Sequence, residues 1–164
     1  MTVLRFLSFV ILAIWVGGLG VLGGIAAPTL FAALQEPGAM AGPELAGATF
    51  GMMLARFQFV SWICGGLLLA LFGTRAALGP RPFRLRYRVW TVIAMLALSV
   101  TMAVFVVPRM DRIREETDGA VASLPANDAR RVEFGRLHGL ANGLMLLTLA
   151  AGFAVFWFEA KDTA

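Results

Sequence analysis

Polar side chains are scarce in this chain, so the few that interrupt its apolar stretches are where any chemistry would have to happen. His138 is the single histidine, and Asn142 follows one helical turn later on nearly the same face. An imidazole there could ligate a metal or haem iron, shuttle a proton, or hydrogen-bond at a membrane interface. One histidine supplies at most one ligand per chain, whereas a structural zinc site takes four. Copper(I) would accept thioether sulfur. However, Met52, Met53, Met95, Met102 and Met145 lie among aliphatic residues, where methionine is ordinary core filler.

Arg56, Gln58, Arg109 and Arg136 form a second candidate group. Guanidinium groups converging on one space could grip a carboxylate, a phosphate or a lipid headgroup in bidentate fashion. The competing expectation is that they snorkel to the membrane interface and pair with Asp111 and Glu133. Cys64, between Ile63 and Gly65, reads as a small packing residue rather than a nucleophile. No Gly-rich phosphate loop, Ser-His-Asp set or paired-carboxylate site occurs, and Glu133 lies five residues from His138, out of line for a dyad. These residues predict a protein that is not an enzyme.

The elements that must position them are four long apolar runs, at roughly 3–27, 57–72, 89–107 and 140–158. Each is near the roughly 20 residues a helix needs to cross about 30 Å of hydrocarbon. With 59% hydrophobic and 15% charged residues, the chain is far from a soluble domain's composition. Backbone groups in lipid must be bonded internally, and runs apolar on every face exclude a β-barrel. The expectation is an all-α polytopic membrane protein: one up-down four-helix bundle over 1–164, with spans at about 3–27, 50–76, 87–108 and 136–158. The net charge of +4 points to anionic headgroups rather than nucleic acid, because the arginines flank spans.

Ala26-Ala27 resembles a cleavage site, but the preceding apolar core exceeds a signal sequence, so a retained helix is expected. Pro28 should end or kink that helix. Gly38, Gly42 and Pro43 mark the next loop, and the second helix should run from about 44 to 78 until Gly79, Pro80 and Pro82 break it. The third helix should start near Arg86 and pass Pro108 into a charged stretch where Arg112 and Glu116 pair; Asn127 or Asp128 should cap the fourth. The segment 118–126 reads as flexible. Helices 2, 3 and 4 should therefore project beyond the outer face. The first connection carries no Lys or Arg and the second is arginine-rich, which places both termini in the cytoplasm. In that topology the inner half of the bundle offers only Ser, Thr and Gly, so a site is expected near the outer leaflet. Gly20 and Gly24, and Gly135, Gly139 and Gly143, recur four apart and predict close helix packing, within the chain or across a dimer.

Several segments together carry a resemblance. Trp15-x-Gly-Gly is followed by Ala27-Pro28-Thr29-Leu30-Phe31, Arg56-Phe57 and Pro108-Arg109-Met110-Asp111. Phe134-Gly135-Arg136-Leu137-His138-Gly139-Leu140 and Asn142 complete the order. The pattern resembles the bacterial domain of unknown function 4149, which is similar to eukaryotic transmembrane protein 205, from Phe6 to about Phe158. The matching positions are Trp15, Gly18, Pro28, Phe31, Arg109, Arg136, His138 and Asn142. The resemblance implies a four-helix bundle of the bacterial inner membrane and brings no established reaction. The layout is distantly similar to copper-resistance D-type domains and haem-dependent protoporphyrinogen oxidases, which use several intramembrane histidines. Haem or copper chemistry here would need a second ligand from a partner, leaving His138 as the one candidate metal ligand.

The residues favour a membrane protein that binds or passes a small solute, anion or metal ion at an outer polar site; the alternative is a non-catalytic accessory subunit of a larger membrane complex, and the third reading a haem- or metal-binding membrane protein. The expected partners are the lipid bilayer and a second copy or larger complex, with no nucleic acid.

Overall fold

The computed structural model describes residues 2–34, 42–79 and 83–161. Within them the protein is all-α. Four long apolar helices form the bundle: α1 (Thr2–Leu34), α2 (Gly42–Leu78), α3 (Leu85–Glu115) and α4 (Ala129–Ala160). Each is long and apolar enough to cross a membrane. Each helix packs on its sequence neighbours and α4 closes back on α1, so the four make a ring around a shared interior. The loop marker Gly38 and the breakers Pro80 and Pro82 lie outside the described residues, while Gly42 is already helical.

Pro28 does not end α1. Proline has no N–H to give, and its ring collides with the carbonyl four residues earlier. The helix absorbs both problems by widening into a π turn at Leu22–Ala26, where the Ala27 N–H donates to the Leu22 carbonyl, and it then continues to Leu34. Helix α3 repeats the device at the same offset. Met102–Val106 is a π turn, the Val107 N–H donates to the Met102 carbonyl, and Pro108 follows at once. The two hairpins thus share a local feature that hydropathy alone does not display.

Buried residues gather in two apolar cores. One, around Leu12, Trp15, Leu68, Phe72, Met95 and Val155, fills the half of the bundle nearest the termini. Cys64 lies inside it as a free, buried thiol. The other, around Met102, Val106, Met110, Ile113 and Leu137, fills the opposite half. Val121 belongs to this second core, so the segment 118–126 is not a loose loop. Turn hydrogen bonds pin it, including Gly119 N–H to the Arg114 carbonyl at 2.8 Å, with a 3₁₀ turn at Val121–Ser123.

The glycines that seat helices closely are not the regularly spaced ones. A Cβ at Gly20, Gly24, Gly135, Gly139 or Gly143 would meet nothing within 4 Å. In α1 the buried stripe is Trp15, Leu19 and Leu22, which turns Gly20 and Gly24 outward. Helices α1 and α4 meet instead at Gly152, where a Cβ would lie 2.3 Å from Val16 Cγ2. Gly18 likewise accommodates the Phe57 ring of α2, and Gly65 the Leu96 side chain of α3.

Helix α4 is capped by Asp128, which accepts the Arg130 backbone N–H at 2.9 Å. Its carboxylate also takes Arg130 Nε and Nη2, and that side-chain bond, more than the backbone one, holds the carboxyl below its ordinary value. A lowered folded value means the cap is complete above the ordinary carboxylate range and is lost as pH falls through the lowered value. Protection of the first amides of α4 in hydrogen exchange should therefore drop on acidification, and Asp128→Asn should remove that pH dependence. In the interior, Gly152→Ala should destabilise the fold by about 1–3 kcal/mol in detergent unfolding, because the stiff Val16 side chain must move. Gly139→Ala should be tolerated.

Candidate functional site

The most strongly built polar feature stands at the end of the bundle that carries both termini. Arg75, in the last turn of α2, donates from Nη1 to Glu159 Oε1 and Oε2, each at 2.9 Å. Arg88, in the first turn of α3, donates from Nη1 to Glu159 Oε1 at 2.7 Å and from Nη2 to the Phe158 carbonyl at 2.6 Å. Arg88 and Glu159 are fully buried, and Arg75 is 5% exposed. Arg5 brings α1 to the same end through a bond to the Ala160 carbonyl at 3.2 Å.

This cluster corrects the expectation that the half of the bundle nearest the termini offers only Ser, Thr and Gly. A signal for it exists in the sequence. Leu68, Phe72 and Arg75 form one stripe of α2; Arg88, Val92, Met95 and Ser99 form one of α3; Thr148, Gly152, Val155 and Glu159 form one of α4. Each charge continues the buried face of its helix at helical spacing.

Glu159 has both oxygens occupied and no exposure, so it acts as a staple joining three helices. Such an ion cluster gains little net free energy over an apolar replacement, but losing one partner strands buried charge. Glu159→Gln should cost about 3–5 kcal/mol in unfolding titrations. Replacing all three residues together (Arg75→Leu, Arg88→Met, Glu159→Leu) should recover most of that loss.

A second polar layer lies between the two apolar cores. Gln58 Nε2 donates to the Ser99 carbonyl at 2.7 Å, and Trp62 Nε1 donates to Ser99 Oγ at 3.0 Å. Ser99 stands just before the π turn of α3, where the Met102 N–H is shared between the Leu98 and Ser99 carbonyls. Helix α2 therefore clamps α3 where its hydrogen-bond ladder changes pitch. A cavity of about 30 Å³ opens beside this clamp, lined by Trp15, Gln58, Ser61, Ser99, Met102 and Thr148 among others.

At the far end Arg114 joins three helices. It pairs with Asp111 at 2.9 Å, reaches the Gly47 carbonyl of α2 at 3.5 Å, and lies over the Phe134 ring of α4 with its guanidinium carbon 5.3 Å from the centroid. Asp111 is thus engaged by Arg114, and among the described residues no pair joins Arg112 to Glu116.

Of the six candidate ligand residues, Gln58 alone turns into the bundle. Arg56, Arg109, Arg136, His138 and Asn142 are exposed, and among the described residues none of them has a side-chain hydrogen bond or ion pair. Trp15 is fully buried, Phe31 partly buried and Pro28 exposed. Among the described residues no group of three His, Cys, Asp or Glu stands close enough to hold a metal ion.

Comparison with protein-family models matches residues 10–118 to the domain of unknown function DUF4149. That stretch contains Trp15, Gly18, Pro28, Phe31 and Arg109 and stops before Arg136, His138 and Asn142. No curated protein and no solved structure matches the chain. With about two thirds of its length matched, this multi-pass, four-helix membrane protein belongs to the DUF4149 family.

Proposed function

We propose that the protein is a non-catalytic assembly subunit of the bacterial inner membrane that associates, through the outer face of α4, with a second copy of itself. One observation carries this reading. Asn142 lies within a membrane-spanning helix, yet its side chain is exposed and makes no hydrogen bond among the described residues. An amide facing hydrocarbon without a partner costs free energy, whereas the same amide against another helix is satisfied. Asparagine carries both donor and acceptor, so two copies can pair symmetrically. Gly139 and Gly143 flank it with no neighbour within 4 Å of a Cβ, which leaves room for a second backbone.

The helix lengths support a placement across the bilayer. Arg56, Arg109 and His138 each stand roughly 20 residues, or about 30 Å of helix, from the charged cluster at the other end. That spacing matches the hydrocarbon thickness and supports a placement with the two groups at its edges, where exposed arginines can snorkel to headgroups. The arginine-free first connection marks the outer side, with both termini cytoplasmic and α2, α3 and α4 extending beyond the outer face. A solute, anion or metal site built from Arg56, Arg109, Arg136 and His138 would need these side chains to share one space. Their exposure, with no side-chain hydrogen bond or ion pair to any of them among the described residues, favours assembly over that reading and over haem or metal binding.

The protein reconstituted in lipid should be dimeric or larger by light scattering or single-molecule photobleaching. Asn142→Leu should weaken association by about 0.6–2 kcal/mol, several-fold or more in dissociation constant. Gly139→Leu should weaken it more by blocking approach. A wild-type protein that stays monomeric at high protein-to-lipid ratio would remove the proposal.

A further inference from the structure

We infer that the cavity at the centre of the bundle is a hydrated site that holds water by hydrogen bonds to Gln58, Ser99, Ser61 and Thr148. This does not depend on how the protein assembles. All four helices line the cavity, and its polar groups have unused bonding capacity. Gln58 is 8% exposed, and its Nε2 reaches the Ser99 carbonyl while its Oε1 accepts from no group among the described residues. The Ser99 hydroxyl, also buried, accepts from Trp62 and donates to no described group.

Ser61 and Thr148 spend their protons on their own helices, at the Phe57 and Leu144 carbonyls, and keep oxygen lone pairs for another donor. The lining therefore offers the Ser99 O–H and the second Gln58 N–H as donors, with Gln58 Oε1, Ser61 Oγ and Thr148 Oγ1 as acceptors. A water needs two to four such partners and about 10–15 Å³ of this kind of volume. The cavity, at about 30 Å³, has room for about two waters. None of the described residues lining the cavity is charged, and its size suits water rather than a larger solute.

The position gives the site a structural task. It adjoins Ser99 and Met102, where α3 passes from α to π. Water there satisfies polar groups that side chains alone leave open, at the depth where hydrocarbon supplies none.

Pulsed X-ray hydroxyl-radical labelling tests this, because radicals born from a bound water oxidise the side chains touching it. Trp15 lines the cavity and is fully buried, while Met95 is equally buried in the neighbouring apolar core. Trp15 should be oxidised and Met95 should not. Gln58→Leu should abolish Trp15 labelling, and the near-isosteric Thr148→Val, which leaves the Ser99 clamp intact, should reduce it. Folding of each variant is checked by circular dichroism, and if Gln58→Leu does not fold, Thr148→Val carries the comparison. Trp15 left unlabelled in the folded wild type, or labelled equally in the folded variants, would overturn the inference.

Discussion

Glu159 is the point on which the rest of the arrangement hangs. It is a fully buried carboxylate, tolerable only because Arg75 and Arg88 reach it from two other helices. That requirement fixes more than one end of the bundle. A charge that must face inward sets the rotation of its helix, and residues three or four, seven and eleven positions away then face inward as well. Phe72 and Leu68 on α2, Val92, Met95 and Ser99 on α3, and Val155, Gly152 and Thr148 on α4 occupy those positions. In lipid, where apolar surface has little preference for protein over hydrocarbon, such a directional interaction specifies phase better than the aliphatic residues can. It adds specificity more than net stability.

The polar layer at Ser99 follows from the same phase. Ser99 faces inward because Arg88 does, and so meets Gln58 and Trp62 of α2 at the start of the π turn. The π turns answer Pro28 and Pro108, each of which disrupts a ladder that water cannot repair inside a membrane. Both turns end two residues before the proline, in the first and third helices. Two unlike hairpins have therefore met one backbone problem in one way. Only in α3 does the turn coincide with buried polar side chains that have capacity to spare.

Much of the architecture was legible from composition and helix boundaries. The four apolar runs, the long second helix and the Asp128 cap follow from hydropathy, from the proline-free stretch after Pro43 and from the Asn-Asp step before α4. The charged cluster was not, because Arg75 and Arg88 flank the arginine-rich connection and resemble its solvated neighbours Arg84 and Arg86. What separates them is phase, visible only when each is followed along its helix. The glycine stripes do not seat helices within the chain, for the related reason that spacing says a face exists without saying which way it points. Gly152 and Gly18 make the tightest helix contacts, while a Cβ at Gly135, Gly139 or Gly143 would meet nothing in the chain. Helix α1 does not stop at Pro28 because a helix can widen around a proline as well as end at one.

The outward face of α4 is where these lines meet. A helix surface meant only for lipid has no reason to collect Gly139, Asn142 and Gly143 within about one turn. Glycine gives up side-chain contact with lipid, and an amide there lacks a partner. Both costs are removed by another helix, which approaches closely over glycine and bonds to the amide. The interior offers them no alternative, since Leu137, Ala141 and Thr148 already hold the buried side of α4 and Glu159 locks its rotation. The ion cluster that sets the phase of α4 thereby also determines which of its residues are presented outside. Coupling between the two means that a change of rotation at Glu159 would carry Asn142 out of the proposed contact with a second copy.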